Sequence, residues 1–389
     1  MKILKVTGGF IPAEKQGGTA VVGHALCKYL AKVGHDVKVF TTNINGDEFL
    51  DVEDEWKSFD NMDVFYAKAT KTLFPYYSPS MIREFEKNIE EADVVLMASV
   101  WTWYGPKIAK ICKKYNVPYI LYPHGVRSYD RMKMQGYAKK VLWWYFFDKP
   151  MFFNADGLVA ITEFEKKEMK SIGVECPIEV IANGVEPLET VSNPRSILKK
   201  EYGIEENKDI IFFIGRIELI KGVDLAIESI KLVLDKNPNT VLVLAGPDRE
   251  NLTEELSQLS NKLGIKDNVI FTGAIKGDIR LALYQSSKVL ILPSITEVLA
   301  MAVLEGLKSG LPVVVTDKDA FVDVVSYDAG YACDRNKESI SECINKLLTN
   351  DTLYNTMSKN ALKLASDKYT WEGIAKDTTT YISKVIKGL

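Results

Sequence analysis

Residues 209–234 read DIIFFIGRIELIKGVDLAIESIKLVL and join a solid apolar run to a helical pattern. The run predicts a strand from Asp209 to Gly215, and the helical spacing begins near Val223 after a short polar loop. Because the strand is apolar on both faces, it is typical of a parallel sheet that is covered by helices on both sides. The segment is therefore interpreted as a strand, a loop and a helix in immediate succession.

The same order recurs from one end of the chain to the other, as short Val- and Ile-rich runs separated by amphipathic stretches. It predicts an α/β protein with two doubly wound, Rossmann-like domains. The strands of the first half are expected at residues 2–7, 36–42, 64–68, 93–99, 118–124, 157–162 and 178–182. Those of the second half are expected at 209–215, 240–246, 268–273, 288–293 and 312–316.

A turn signal near the middle of the chain, Asn183-Gly184-Val185-Glu186-Pro187, precedes a polar stretch and marks the expected domain boundary. It divides the chain into residues 1–185 and 186–370, with a final helix at about 371–387. In open parallel sheets, ligands bind beyond the carboxyl ends of the strands. Candidate functional residues are therefore sought in the loops that follow each strand.

Length and composition exclude several classes of protein. The 389 residues, 47% hydrophobic and 26% charged, are too many for one small disulfide-stapled module and too apolar for wholesale disorder. A net charge of -3 gives no global basic field for nucleic acid. The five scattered cysteines contain no CxxC pair, which argues against a disulfide framework or a zinc site and favours a reducing cytosol. We expect neither a signal peptide nor a membrane span.

Two cations follow the strand at Asp209. Arg216 comes directly after it, and Lys221-Gly222 immediately precedes the helix. A guanidinium, an ammonium and a helix N-terminus around one point suit a diphosphate. The alternative, solvated surface, is less favoured because both cations lie next to a buried strand.

Two glutamates with seven residues between them follow the strand at 288–293. Glu297 is expected in the loop and Glu305 about two turns into the next helix, where its apolar neighbours imply burial. A buried carboxylate needs partners, and we expect ligand hydroxyls to provide them. The spacing alone is common in helices, so the interpretation depends on the strand-loop-helix context.

In the first half, His124 ends a predicted strand and is followed by Gly125, which places it on a cleft rather than in the core. No second histidine or acidic cluster shares its loop, so a metal role is not expected. Gly17 and Gly18 precede a helix expected from about 20 to 33, where they indicate either an anion site or a tight turn. His24 and His35 are interpreted as structural.

Taken together, these motifs resemble the retaining sugar-nucleotide glycosyltransferases of family 4, which have the GT-B fold. The resemblance covers essentially the whole chain. It rests on the Gly17-Gly18 loop, Pro123-His124-Gly125, Asn183-Gly184-Val185, Gly215-Arg216 with Lys221-Gly222, and the Glu297 and Glu305 pair. It implies two domains facing a central cleft and a last helix, 371–389, that crosses back to the first domain.

The resemblance also implies roles for individual residues. Arg216 and Lys221 would hold the donor diphosphate, and Glu305 the ribose hydroxyls. Glu297 would contact the transferred sugar. The remaining implied contacts are His124 beside the sugar ring, Gly18 near the β-phosphate, Ile275 in the nucleobase loop, and the backbone N–H groups of Val298, Leu299 and Ala300. Val298 and Ala300 depart from the family's pattern, which leaves the sugar open.

The implied reaction uses a UDP- or GDP-sugar, retains the configuration of the sugar and needs no cofactor. Fixed cations would stabilise the leaving group, and no Asp-x-Asp triplet is positioned for a metal. Other activities stay open at this point: a sugar phosphorylase, a sugar-nucleotide epimerase and a non-catalytic sugar-nucleotide-binding protein.

The acceptor side is expected in residues 127–149, which carry six cations, Arg127 among them, against two anions. The apolar run VLWWYFF at 141–147 is interleaved with these charges. One interpretation is a peripheral membrane face that reaches a lipid-linked acceptor, and the other is core of the first domain. The corresponding expectation is a cytoplasmic enzyme of cell-surface polysaccharide or glycolipid synthesis at the inner face of the membrane.

Overall fold

The computed structural model describes residues 1–389 apart from 73, 75, 99, 126–140 and 317–319. The described chain forms two compact units. The first comprises Met1–Gly184 with Trp371–Leu389, and the second comprises Val185–Thr370. The sequence predicted domain boundaries after residues 185 and 370.

The first unit contains an eight-stranded sheet in the order β10-β9-β8-β7-β1-β2-β6-β5, and a separate β3-β4 hairpin. All neighbours in the sheet are parallel except β5 and β6. The strands are β1 (Lys2–Val6), β2 (Asp36–Thr42), β3 (Ile44–Asn45), β4 (Glu48–Phe49), β5 (Glu55–Phe59), β6 (Met62–Ala67), β7 (Val94–Ala98), β8 (Tyr119–Tyr122), β9 (Gly157–Ala160) and β10 (Ile178–Val180).

Among the residues that the structure describes, the helices that accompany this sheet are α1 (Gly18–Lys32), α2 (Pro79–Asn88), α3 (Gly105–Tyr115), α4 (Lys149–Phe153) and α5 (Glu163–Ser171). A continuous apolar core joins Phe40 of β2, Phe85 of α2 and Tyr119 of β8. β7 is buried along its whole length, which explains why its sequence is apolar without alternation.

The second unit is built on a six-stranded, all-parallel sheet in the order β13-β12-β11-β14-β15-β16. Its strands are β11 (Asp209–Ile214), β12 (Thr240–Ala245), β13 (Val269–Gly273), β14 (Val289–Leu292), β15 (Val313–Val315) and β16 (Gly330–Ala332). Its helices are α6 (Pro194–Tyr202), α7 (Val223–Leu234), α8 (Thr253–Lys262), α9 (Gly277–Ser286), α10 (Met301–Lys308), α11 (Val322–Ser326), α12 (Lys337–Thr349) and α13 (Asp351–Lys368).

The last helix, α14 (Trp371–Ile386), packs in the first unit. Trp371 stacks on Tyr29 of α1, and His35 hydrogen-bonds Thr379 at 2.8 Å. The Tyr381 hydroxyl accepts from the Leu158 N–H and donates to the Pro177 carbonyl. These contacts hold the C-terminal helix against α1 and the ends of β9 and β10.

The α/β class and the predicted strands are confirmed, and three strand features were missed. β5 is an antiparallel edge strand whose polar residues hide its pairing with β6. The β3-β4 hairpin and β16 have only two or three residues per strand, too few to produce a periodic signal.

Candidate active site

Two loops of the second unit meet beyond the carboxyl ends of the neighbouring strands β11 and β14. Gly222, at φ 69°, lies so close to the second loop that a Cβ there would be 2.1 Å from the Pro293 carbonyl oxygen. The Ile295 N–H donates to the Ile220 carbonyl at 2.8 Å. Glycine at position 222 is therefore required for the two loops to close on each other.

This closure brings two of the predicted residues into direct contact. The Lys221 Nζ lies 2.5 Å from the Glu297 Oε1, and the Ser294 hydroxyl donates to the same oxygen at 2.8 Å. The Glu297 side chain is only 5% exposed and that of Lys221 16%. A charge so deeply buried needs a partner, and each of these side chains provides one for the other.

Arg216 takes a different partner in this structure. Its guanidinium pairs with Glu218 at 2.8 Å and its side chain is about half exposed. Arg216 follows Gly215, the first residue after β11. The backbone of Gly215 lies so close to Gly246 that a Cβ on Gly246 would be 1.7 Å from the Gly215 carbonyl oxygen. The structure thus fixes the backbone of this loop tightly and leaves the guanidinium on the surface beside Glu218.

Glu305 lies little more than one turn into α10, whereas the sequence predicted about two turns. The reason is that Ala300 still has an extended backbone, so the helix begins only at Met301. Glu305 is half-buried rather than fully buried, and its partners belong to the protein. Arg280 pairs with one carboxylate oxygen, and the Tyr284 hydroxyl donates to the other at 2.6 Å.

Arg280 and Tyr284 are functional candidates that sequence reasoning missed. They lie four residues apart on α9 and so share one face of that helix, with the guanidinium 5.4 Å from the centre of the Tyr284 ring. Burial and the Glu305 carboxylate raise the pKa of Tyr284, which keeps its phenol protonated and able to donate. The i, i+4 spacing was visible in the sequence, but the partner on α10 was not.

The other predicted donor-side residues lie on loops or helix ends. Ile275 is half-buried between β13 and α9, and Val298, Leu299 and Ala300 form the segment that leads into α10. In the first unit, Gly18 is the first residue of α1, after Gly17 at φ 76°.

His124 lies two residues beyond β8, half-buried and in the left-handed region at φ 54°. The next N–H, that of Gly125, donates to the Glu165 carboxylate at 2.5 Å, and the other oxygen of that carboxylate accepts from the Ile161 N–H. Glu165 therefore holds the turn that carries the histidine. The motif Thr162-x-x-Glu165 at the start of α5 was a detectable capping signal for this residue.

The environment of His124 disfavours its charged form. Burial, and secondarily the charge of Lys5, lower the pKa of His124 to about 3. The imidazole is therefore neutral at physiological pH and can donate one hydrogen bond and accept another.

The apolar run at 141–147 divides between core and surface. Trp144 belongs to the buried core, whereas Leu142, Tyr145 and Phe146 are exposed, Phe146 by 71%. The acceptor-side candidate Arg127 lies outside the described residues, as does most of the basic stretch that precedes the run.

Three further findings concern the described part of the chain. All five cysteines are free thiols. In the ranges that the structure covers, His, Cys, Asp and Glu side chains form no group of three able to hold a metal ion. Nor does any helix within those ranges have the length and apolar character needed to cross a bilayer.

Two family models and several known proteins match this chain. Residues 16–187 match the model of glycosyltransferase family 4, and residues 194–364 match that of glycosyl transferases group 1. An uncharacterized glycosyltransferase of Methanocaldococcus jannaschii is 25% identical, with 97% of each chain covered.

Solved structures show the same fold. Sucrose-phosphate synthase from Thermosynechococcus elongatus has a TM-score of 0.78 at 15% identity, with both chains fully covered. HepE of Anabaena in complex with UDP and glucose has a TM-score of 0.75 at 18% identity, covering 99% of this chain and 100% of the other. The fold expected from the sequence is confirmed.

Proposed function

We propose that this chain, which is a glycosyltransferase of family 4 with the GT-B fold, transfers a sugar from a nucleoside-diphosphate sugar to a hydroxyl acceptor. The transfer would retain the configuration of the sugar. The observation that carries the proposal is the buried Lys221 and Glu297 pair at the carboxyl ends of β11 and β14. A cation and a carboxylate fixed side by side fit the junction between a phosphate and a sugar.

The proposed role of the cations is to stabilise the leaving group. Cleavage of the bond between sugar and diphosphate leaves negative charge on a phosphate oxygen, and preorganised positive groups lower the energy of that state. Lys221 stands directly before the N-terminus of α7, whose unpaired N–H groups add to its field. Arg216 would join them by exchanging Glu218 for the phosphate. We therefore propose a reaction that requires no divalent metal.

Retention is proposed from the family resemblance, through attack on the face from which the diphosphate leaves. The departing phosphate oxygen would accept the acceptor's proton, so no protein nucleophile is needed. Glu297 would orient hydroxyls of the transferred sugar, and neutral His124 would hydrogen-bond the sugar. These roles predict that Glu297→Gln and His124→Ala lower kcat while UDP still binds.

The donor is proposed to be a UDP- or GDP-sugar. The crystal structure of Anabaena HepE contains UDP and glucose, which supports a nucleotide-sugar donor for this chain as well. Thermal unfolding with UDP-, GDP- and ADP-sugars tests the proposal, because a ligand that binds only the folded state raises Tm by mass action. No shift with any of the three would contradict it. NMR of the product's anomeric proton would then distinguish retention from inversion.

We also propose peripheral contact with a membrane, consistent with a lipid-linked acceptor in cell-surface glycan synthesis. Leu142, Tyr145 and Phe146 are exposed, and the Lys149 ammonium lies 5.4 Å from the Tyr145 ring centre. Exposed aromatics beside cations suit the surface of an anionic bilayer.

Co-sedimentation with vesicles tests the membrane contact. Binding is expected to phosphatidylglycerol-containing vesicles, and Phe146→Ser should weaken it. Leu362→Ser, which changes an exposed apolar residue of the second unit, should not. Equal sedimentation with neutral and anionic vesicles would remove the proposal.

A further inference from the structure

A small internal cavity lies in the first unit, beneath the turn that carries His124. It is lined by β1, the end of β8, α1 and α14, and its volume is about 10 Å³. That volume accommodates a single water-sized ligand. The polar residues on its wall are Lys5, Tyr122, His124, Asn183 and Thr378.

Lys5 gives this cavity a buried positive charge. The residue is 1% exposed, and its ammonium lies 4.6 Å from the centre of the Tyr122 ring. Burial lowers the pKa of Lys5 to about 8, so the amine is still mainly protonated at pH 7. Throughout the described ranges, the titratable neighbour that stabilises this cation is the Cys27 thiol rather than a carboxylate. Burial raises the pKa of that thiol to about 12, which keeps it neutral.

Two buried hydroxyls on the same wall, those of Tyr122 and Thr378, interact with each other. Within the part of the chain that the structure describes, neither the Tyr122 nor the Thr378 hydroxyl makes a hydrogen bond of normal geometry. Both residues are at least nine-tenths buried. When two hydroxyls bond each other, one O–H donor is left without an acceptor, and an unsatisfied buried donor costs free energy. Such a donor beside an uncompensated ammonium indicates that a ligand completes the group.

We propose that the cavity binds one small monovalent anion of the size of chloride. The wall combines a cation with hydroxyls that can donate, and none of the described residues that line it carries a carboxylate. Water would satisfy the hydroxyls but would leave the charge of Lys5 uncompensated, whereas an anion satisfies both. A phosphate or a carboxylate ligand is too large for a space of one water molecule.

Thermal unfolding of the full-length protein tests the site. Sodium chloride and sodium bromide are compared with sodium gluconate, whose anion is too large to enter, at constant ionic strength. Tm should rise with halide concentration, by about 2 °C for each tenfold increase once the concentration exceeds the Kd. Lys5→Met should abolish this rise. Lys2→Met, which removes an exposed lysine of the same strand, should preserve it.

Two further measurements keep the test decisive if Lys5→Met does not fold. Thr378→Val removes a donor without changing charge and should reduce the halide response. Crystals soaked in bromide should show an anomalous peak between Lys5 and Thr378. A halide response that persists in both variants, or a wild-type Tm that is equal in chloride and gluconate, would overturn the proposal and assign the cavity to water.

Discussion

Replacing Arg280 by methionine probes how the second unit prepares Glu305 for a nucleotide. Arg280 holds one oxygen of the Glu305 carboxylate and Tyr284 holds the other. A carboxylate has about four acceptor positions, so two remain for a vicinal diol such as that of ribose. Arg280→Met should leave the carboxylate charged but less firmly oriented.

The size of the effect follows from burial. A hydrogen bond to a charged group contributes about 1.5–3 kcal/mol, whereas exposed ion pairs contribute about 0.2–1 kcal/mol. The Arg280 and Glu305 side chains are 29% and 18% exposed, so their interaction should contribute an energy between these two ranges. We expect a loss of about 1.4 kcal/mol, which is a tenfold weaker affinity for UDP. Affinity for 2′-deoxy-UDP should fall much less, because one of the hydroxyls that Glu305 would hold is absent.

Isothermal titration with UDP and 2′-deoxy-UDP, and with GDP and 2′-deoxy-GDP in parallel, measures the preference for ribose over deoxyribose. Glu305→Gln should reduce it, and in that background Arg280→Met should add little, because the two residues act through one contact. Arg83→Met, at an exposed arginine of the first unit, is the matched control.

Three results would refute the reasoning in different ways. Tighter UDP binding by Arg280→Met would mean that the guanidinium occupies the place of the ribose. An equal loss for both nucleotides would reduce Arg280 to a general structural role. An unchanged preference in Glu305→Gln would remove the ribose assignment of Glu305 itself.

Three other perturbations have defined outcomes. Lys221→Met should lower kcat roughly 30- to 1000-fold, since loss of a group that stabilises developing charge costs about 2–4 kcal/mol. The control Lys231→Met, at an exposed lysine of α7, should leave kcat unchanged. Normal turnover by Lys221→Met would contradict its role at the diphosphate. The pKa of His124 is about 3 in the folded protein, below its unfolded value, so the wild type should lose stability relative to His124→Gln as the pH drops below 6.5. The expected loss is about 2 kcal/mol at pH 5, measured by urea unfolding. A stability difference between wild type and variant that does not change with pH would contradict this. For Asp148 the pH dependence of stability should run in the opposite direction, because burial raises the pKa of its carboxyl to about 7. The stability of the wild type relative to Asp148→Asn should therefore fall by about 2 kcal/mol as the pH rises from 5 to 7. A difference in Tm between the two proteins that stays constant over this range would argue against a buried protonated carboxyl.

The sequence alone indicated the α/β class, the two halves of the chain and the loops that carry the candidate residues. These features depend on local patterns. A buried parallel strand is apolar throughout, and a helix repeats every 3.6 residues, so each is visible within a short window. The carboxyl ends of parallel strands share one edge of the sheet, so the sequence also placed the loops that carry Lys221 and Glu297 at that edge. That the two loops are neighbours depends on the order of the strands, which the structure shows.

Only the tertiary structure decided which side chains meet across elements. The partners of Glu305 come from α9, the donors around Lys5 come from β8 and α14, and the run at 141–147 divides between core and surface. Such contacts depend on how helices pack and rotate against a sheet. Residues far apart in the chain become neighbours through that packing, and no local pattern records it.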